Sequence, residues 1–330
     1  MSNKIYPIGI QNFEKIRKDG YFYIDKTAWV YQLAKTGSYY FLSRPRRFGK
    51  SLLISTLEAY FQGKKELFKG LAIEKLEKDW IQYPIFHLDL NIGKYDTPDS
   101  LDKILNDHLE QWESQYGTRP SEVTFSLRFA GIIKRACQQT GQRAVILVDE
   151  YDKPMLQAIG NEELQKEYRN TLKPFYGVLK TMDGCIKLAF LTGVTKFGKV
   201  SVFSDLNNLD DISMQEMYVG LCGVTEQEIH DNLEEELHEL ADAQKMTYEE
   251  ACAELKRRYD GYHFVENTEG VYNPFSLLNT FKYKKFGSYW FETGTPTYLI
   301  ELLKRYHYDL EHMAHAETYA DVLNSIYGDE

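Results

Sequence analysis

Apolar residues in the first two-thirds of the chain fall into short, nearly continuous runs at 39–43, 85–90, 144–149 and 186–192. Each run is bounded by glycine, proline or polar residues, the pattern of strands buried on both faces. Between them, apolar positions recur at helical spacing, which predicts helices over 51–61, 100–116, 126–140 and 162–182. Pro174 is expected to kink or divide the last of these. Strands alternating with crossover helices imply an α/β fold with a parallel sheet.

From about Gly220 the pattern changes to long, acidic, helix-favouring sequence, with Ile229, Leu233, Leu237 and Leu240 on one helical face. Residues 1–219 are therefore expected to form an α/β domain with an N-terminal strap, and 220–330 a mainly helical C-terminal domain. The dense glutamates of this region read as a solvated helix face. YDGYHF and YNPFSLLNTF combine a turn residue with aromatics, and both read as joints between helices. In the second, Asn273-Pro274 ends one element and Ser276 lies near the start of the next helix.

Composition narrows the classes. No apolar run approaches the ~18 residues of a membrane span, and the N-terminal twenty residues interleave charges with apolar positions rather than forming a secretory h-region. A cytoplasmic protein with no membrane partner is expected. The net charge of −10 argues against a generally basic, DNA-coating surface and leaves a local basic patch open, so nucleic acid stays undecided. Cys137, Cys185, Cys222 and Cys252 are far apart in sequence without zinc-like spacing and read as reduced thiols. The 25 tyrosines read as amphipathic packing residues.

The sharpest chemical feature follows the first run: Arg44-Pro45-Arg46-Arg47-Phe48-Gly49-Lys50-Ser51, opening a helix at Leu52-Leu53. Backbone N–H groups of such a loop and first helical turn converge on a phosphate. Gly49 allows close backbone approach, Lys50 neutralises β- and γ-phosphate oxygens, and Ser51 is a magnesium ligand. Arg46, Arg47, Phe48 and Leu52 complete the candidate nucleotide-binding segment. The loop departs from G-x-x-x-x-G-K-[ST] at its first position, where Arg44 stands instead of glycine. Arg44 before Pro45 favours an extended backbone, and Pro45 removes one donor, which the charges of Arg46 and Arg47 can compensate.

A second feature is the run at 144–149, which ends in Asp149-Glu150. This is the Walker B arrangement: Asp149 holds Mg²⁺ and Glu150 polarises the attacking water as general base. The competing reading is a buried strand entering an acidic turn, with Asp152 as a helix cap. A third is Thr192, at the end of the 186–192 run, where a polar side chain can sense the γ-phosphate; a plain strand exit through Gly193 is equally open. Lys196 and Lys199 follow as further phosphate candidates. No arginine finger is identifiable, and a neighbouring copy is one source for it, so a homo-oligomer is an open arrangement.

YPIGIQNFEKIR, YFYIDKT, YYFLSRPRRFGKSL, VILVDEYDKP, LTGVTKF, YDGYHF, YNPFSLLNTF and YWFETGTPTYLIELL together resemble the AAA-ATPase-like proteins common in gut Bacteroidetes and related anaerobes. The resemblance implies a P-loop NTPase of the class with an extra central strand (ASCE type), a five-stranded sheet, and a helical, partly winged-helix-like region. It implies that RPRRFGKS is a family form of the loop, and it supports Lys50, Ser51, Asp149, Glu150 and Thr192 in the roles above. Residues 8–13 and 23–27 are then candidates for the adenine side of the pocket, or for a strap packed on the sheet. Many relatives continue into a PD-(D/E)XK nuclease-like domain; 304–330 carries no D…E-x-K constellation, so nuclease activity is not expected in this chain. The expected function is that of an ATP-binding, Mg²⁺-dependent ATPase working as a switch or motor module for a nuclease-like partner. The alternative is a nucleotide-gated scaffold with negligible hydrolysis. A small-molecule kinase is weaker, because Asp149-Glu150 is a water-activating arrangement and no acceptor motif is visible.

Overall fold

The structure, a computed structural model, describes residues 3–195, 206, 208–265 and 270–289. Lys196, Lys199 and the 304–330 segment lie outside the described residues. Along the chain the elements are α1 (Phe13–Lys18), α2 (Thr27–Thr36), β1 (Tyr39–Ser43), α3 (Lys50–Phe61), α4 (Ala72–Leu76), β2 (Ile85–Asp89), α5 (Pro98–Tyr116), α6 (Phe125–Thr140), β3 (Ala144–Asp149), α7 (Lys153–Gln157), α8 (Glu162–Thr181) and β4 (Ile186–Gly193). They continue as β5 (Asp210–Asp211), β6 (Val224–Thr225), α9 (Glu226–Gln244), α10 (Tyr248–Tyr259), β7 (Asp260–Tyr262), β8 (Val271–Tyr272) and α11 (Pro274–Tyr283).

The chain forms two compact units. A sheet unit comprises Val30–Ser43 and Leu57–Ile212, and a loop unit comprises Met1–Trp29, Arg44–Thr56 and Ser213–Glu330.

In the sheet unit five strands lie in the order β2-β3-β4-β1-β5, and every pairing is parallel. β4 is inserted between β1 and β3, which is the extra central strand of the ASCE arrangement. Side-chain alternation sorts the strands' two faces. Phe41, Phe86, Leu88, Ile146, Val148, Ala189 and Leu191 pack into one large apolar cluster with residues of α5, α6 and α8. Their neighbours His87, Asp89, Asp149 and Thr192 therefore project from the opposite face. The helices begin where the sequence supplies caps: a Thr97–Ser100 capping box with Pro98 for α5, Thr124 for α6 and Asn161 for α8. α8 runs through Pro174 undivided, because its buried stripe, Leu164 to Leu179, holds both halves on the same core.

In the loop unit, α9 opens with a Thr225–Glu228 capping box and departs from helical geometry at Leu233 (φ −131°, ψ 22°). YDGYHF does not join two helices. Asp260–Tyr262 forms β7, antiparallel to β8, which also pairs β6 in a three-stranded sheet; the backbone groups released at the end of α10 find partners on β8. Asn273 does cap α11, its side chain accepting from the Ser276 N–H at 3.0 Å, with Pro274 in the first turn.

Candidate nucleotide site

The phosphate-loop candidate belongs to the loop unit and the acidic candidate to the sheet unit, and each is built locally. In the loop, Arg44 is an anchor. Its buried guanidinium donates to the Ser213 carbonyl at 2.7 Å and to the Tyr218 carbonyl at 3.3 Å, and it lies 4.0 Å from the centre of the Phe264 ring. The backbone turns elsewhere, at Arg47 (φ 69°) and Gly49 (φ 91°). A first-position glycine is thus not needed for the turn. A Cβ on Gly49 would meet no atom within 4 Å, so the requirement there is the left-handed backbone and the open space above it.

Phe48 pins the middle of the loop. Its ring packs on Tyr262 and Phe264 with centroids 4.6 and 5.8 Å away, and its carbonyl accepts from the Gly223 N–H at 3.1 Å. The Lys50 ammonium is buried and folds back over the loop, donating to the carbonyls of Arg44 (2.9 Å) and Pro45 (3.2 Å). Arg46 and Arg47 are exposed, and the Arg47 guanidinium lies 4.9 Å from the centre of the Phe275 ring. Ser51 occupies the first turn of α3, where amide hydrogens have no helical partner.

Beside this loop the unit opens a predominantly apolar cavity of about 650 Å³, its open mouth included, lined in part by Phe48, Gly49, Leu52, Phe22, Ile24 and Cys222. Polarity and contiguity with Gly49 suit a planar heteroaromatic base attached to a phosphate chain. Of the strap segments expected on the adenine side, Tyr23, Ile24 and Lys26 line this cavity, as does Pro7.

In the sheet unit, Asp149 is buried at the end of β3. The Thr192 hydroxyl donates to its carboxylate at 2.6 Å, and the Thr192 carbonyl accepts from the Tyr151 N–H at 2.8 Å. Glu150 adopts φ 56°, a left-handed backbone that costs a non-glycine residue. Its side chain is partly exposed. Asp152, expected as a helix cap, stands at the cap position of α7 without a side-chain cap bond. Its fully buried carboxylate instead accepts from the N–H groups of Val194 (3.0 Å) and Thr195 (2.8 Å) and from the Thr195 hydroxyl (3.0 Å). Tyr151 adds a bond from its hydroxyl to the Thr195 carbonyl at 2.8 Å. These long-range partners were invisible in the sequence; the only available signal was a second acid two residues after Glu150.

The sheet sets where these groups end. Leu42 pairs with Thr192, Ser43 with Gly193, and Asp89 with Asp149, so Ser43, Asp149 and Thr192 stand together at the carboxyl ends of their strands. A parallel sheet of this order, with a glycine-lysine-serine loop after β1 and an acid at the end of β3, defines a P-loop NTPase-like protein. A family model described as predicted AAA-ATPase matches residues 7–203, and the chain belongs to that family. It is also similar to an uncharacterized protein in the vnfD 5′ region of Azotobacter chroococcum mcd 1, with 42% identity over 305 residues. That match covers 92% of this chain and 57% of the relative. Among the described residues no helix is long and apolar enough to cross a membrane.

Proposed function

We propose that the chain binds ATP with Mg²⁺ and hydrolyses it, using the nucleotide as a switch. The observation that carries this reading is the cavity contiguous with Gly49 and Leu52: a base pocket opening beside a loop whose lysine is already folded over its own carbonyls. The phosphate loop would supply amide donors and the Lys50 ammonium to phosphate oxygens, and the Ser51 hydroxyl and the Asp149 carboxylate are each proposed as metal ligands. Bound Mg²⁺ would neutralise charge on those oxygens. Thr192 orients Asp149, and Glu150 takes a proton from the attacking water.

Family membership supports nucleotide binding; control of a nuclease-like partner is inferred from the resemblance in sequence. Calorimetric titration with ATP and Mg²⁺ tests binding, which Lys50→Ala should abolish. Steady-state phosphate release, measured with and without DNA, tests turnover. Binding without release would identify a nucleotide-gated scaffold instead of an ATPase.

A further inference from the structure

The N-terminal strap of the loop unit is tied down at several points that the phosphate chemistry does not use. At one end the Phe13 N–H donates to the Ser55 hydroxyl on α3 at 2.9 Å. At the other, the Lys26 ammonium meets both carboxylate oxygens of Glu228, at 2.5 and 2.6 Å, and the Gly220 carbonyl at 2.7 Å. Lys26 and Glu228 side chains are only 12% and 16% exposed, so this is a largely desolvated pair. Burial lowers the Lys26 pKa, and the Glu228 carboxylate opposes that shift.

Glu228 is at the same time the capping-box partner of Thr225, the N-cap of α9, accepting from the Thr225 N–H at 2.9 Å. Next to Lys26, Trp29 donates from its indole nitrogen to the Met217 carbonyl at 2.9 Å. A Cβ on Gly220 would lie 3.0 Å from that indole ring, so strap and 217–223 segment are in close contact. A second lysine, Lys4, pairs with the buried Glu236 at 2.7 Å. Glu228 and Glu236 flank the irregular residue Leu233 of α9.

Two walls of the base pocket meet at Lys26. Phe22, Tyr23 and Ile24 come from the strap just before it, and Leu221, Cys222 and Gly223 follow the carbonyl it holds. We propose that Lys26, locked to Glu228, is a positioning residue that holds the strap against the 220–224 segment and so sets affinity for the nucleoside part of the ligand, while the phosphate loop acts independently of it. Both charges are engaged with each other and with backbone, so the pair shapes the pocket rather than bonding the base. Removing the lysine leaves Glu228 desolvated without its counter-charge and frees the strap wall. This assignment rests on the reading of the cavity as an ATP pocket.

The test compares ATP with inorganic tripolyphosphate, both with Mg²⁺, by calorimetric titration of wild type, Lys26→Met, Lys26→Arg and Lys50→Ala. The expected result is that Lys26→Met weakens ATP by about tenfold or more while tripolyphosphate stays within about twofold. Lys26→Arg, which keeps the ion pair, should recover most of the loss. Normal ATP affinity in Lys26→Met overturns the assignment, and so does an equal loss of both ligands, which would mark a general effect on folding or on the loop. If wild type binds neither ligand, or Lys50→Ala binds ATP normally, the ATP reading itself fails and the assignment falls with it.

Discussion

Thr192, at the end of β4, donates its hydroxyl hydrogen to the carboxylate of Asp149, at the end of β3, across 2.6 Å. Both side chains are buried, so the bond fixes the carboxylate without competition from water. A buried threonine whose hydroxyl is aimed at the acid makes this a strand exit with a defined direction. Thr192→Val keeps the shape and removes the donor. Mg²⁺-dependent phosphate release should fall roughly 10- to 100-fold, the usual cost of losing a partner that orients a metal ligand. ATP binding measured in EDTA should change little, and Thr192→Ser should recover activity. Full activity in Thr192→Val would remove the positioning role.

Glu150 combines a proposed chemical role with a strained backbone, φ 56°. Glu150→Gln should bind ATP and lose hydrolysis by about 10²- to 10⁴-fold, the range for a removed general base. Stability separates the strain from the chemistry. Glu150→Gly and Glu150→Ala both delete the carboxylate, but only glycine adopts the left-handed backbone freely, so the glycine variant should be more stable by about 1 kcal/mol. Urea unfolding of the two variants measures the difference; an alanine variant equal to the glycine variant would mean that the turn carries no strain.

Much of the sheet unit was legible because its strands are buried on both faces and read as apolar runs, and because its helices carry apolar residues at helical spacing; the caps at Thr97, Thr124 and Asn161 came from the structure. The chain order of loop, acid pair and Thr192 was equally plain. What was hidden depends on distant partners. β5, β6 and β8 are two-residue strands that exist only through pairing, and a strand as short as Asp260–Tyr262 carries no period of its own. The roles of Arg44 and Asp152 are likewise set by carbonyls and amides far along the chain. A missing glycine at position 44 read as a defect because the carbonyls that Arg44 holds, of Ser213 and Tyr218, lie far along the chain.

The exit of β4 is packed too tightly for a side chain at Gly193. An added Cβ would sit 2.3 Å from the Tyr151 ring and 2.9 Å from the Asp152 carboxylate. The Tyr151 ring is itself held against Phe41, centroids 5.3 Å apart. Gly193→Ala should therefore displace the 150–152 turn, costing about 1–3 kcal/mol in a denaturant titration and reducing hydrolysis more than ATP binding. An unaffected unfolding midpoint would show that the ring yields without consequence.

Glu77 gives the sheet unit a predicted acid dependence. Burial works against its charge, but it accepts from the Tyr60 hydroxyl at 2.5 Å and from the Lys78 and Asp79 N–H groups, and it pairs with Lys35 at 2.9 Å. The balance lowers its pKa from 4.5 to about 2. A depressed folded-state value means that the carboxylate contributes its full stabilisation above about pH 4.5 and loses it as pH falls towards 2. Glu77→Gln should unfold at a lower temperature than wild type at pH 7, and the gap between the two melting curves should narrow below about pH 4.5 and close near pH 2. A gap that stays constant from pH 7 to pH 3 would show that the Glu77 charge does not carry the effect and that the amide fails for reasons of shape.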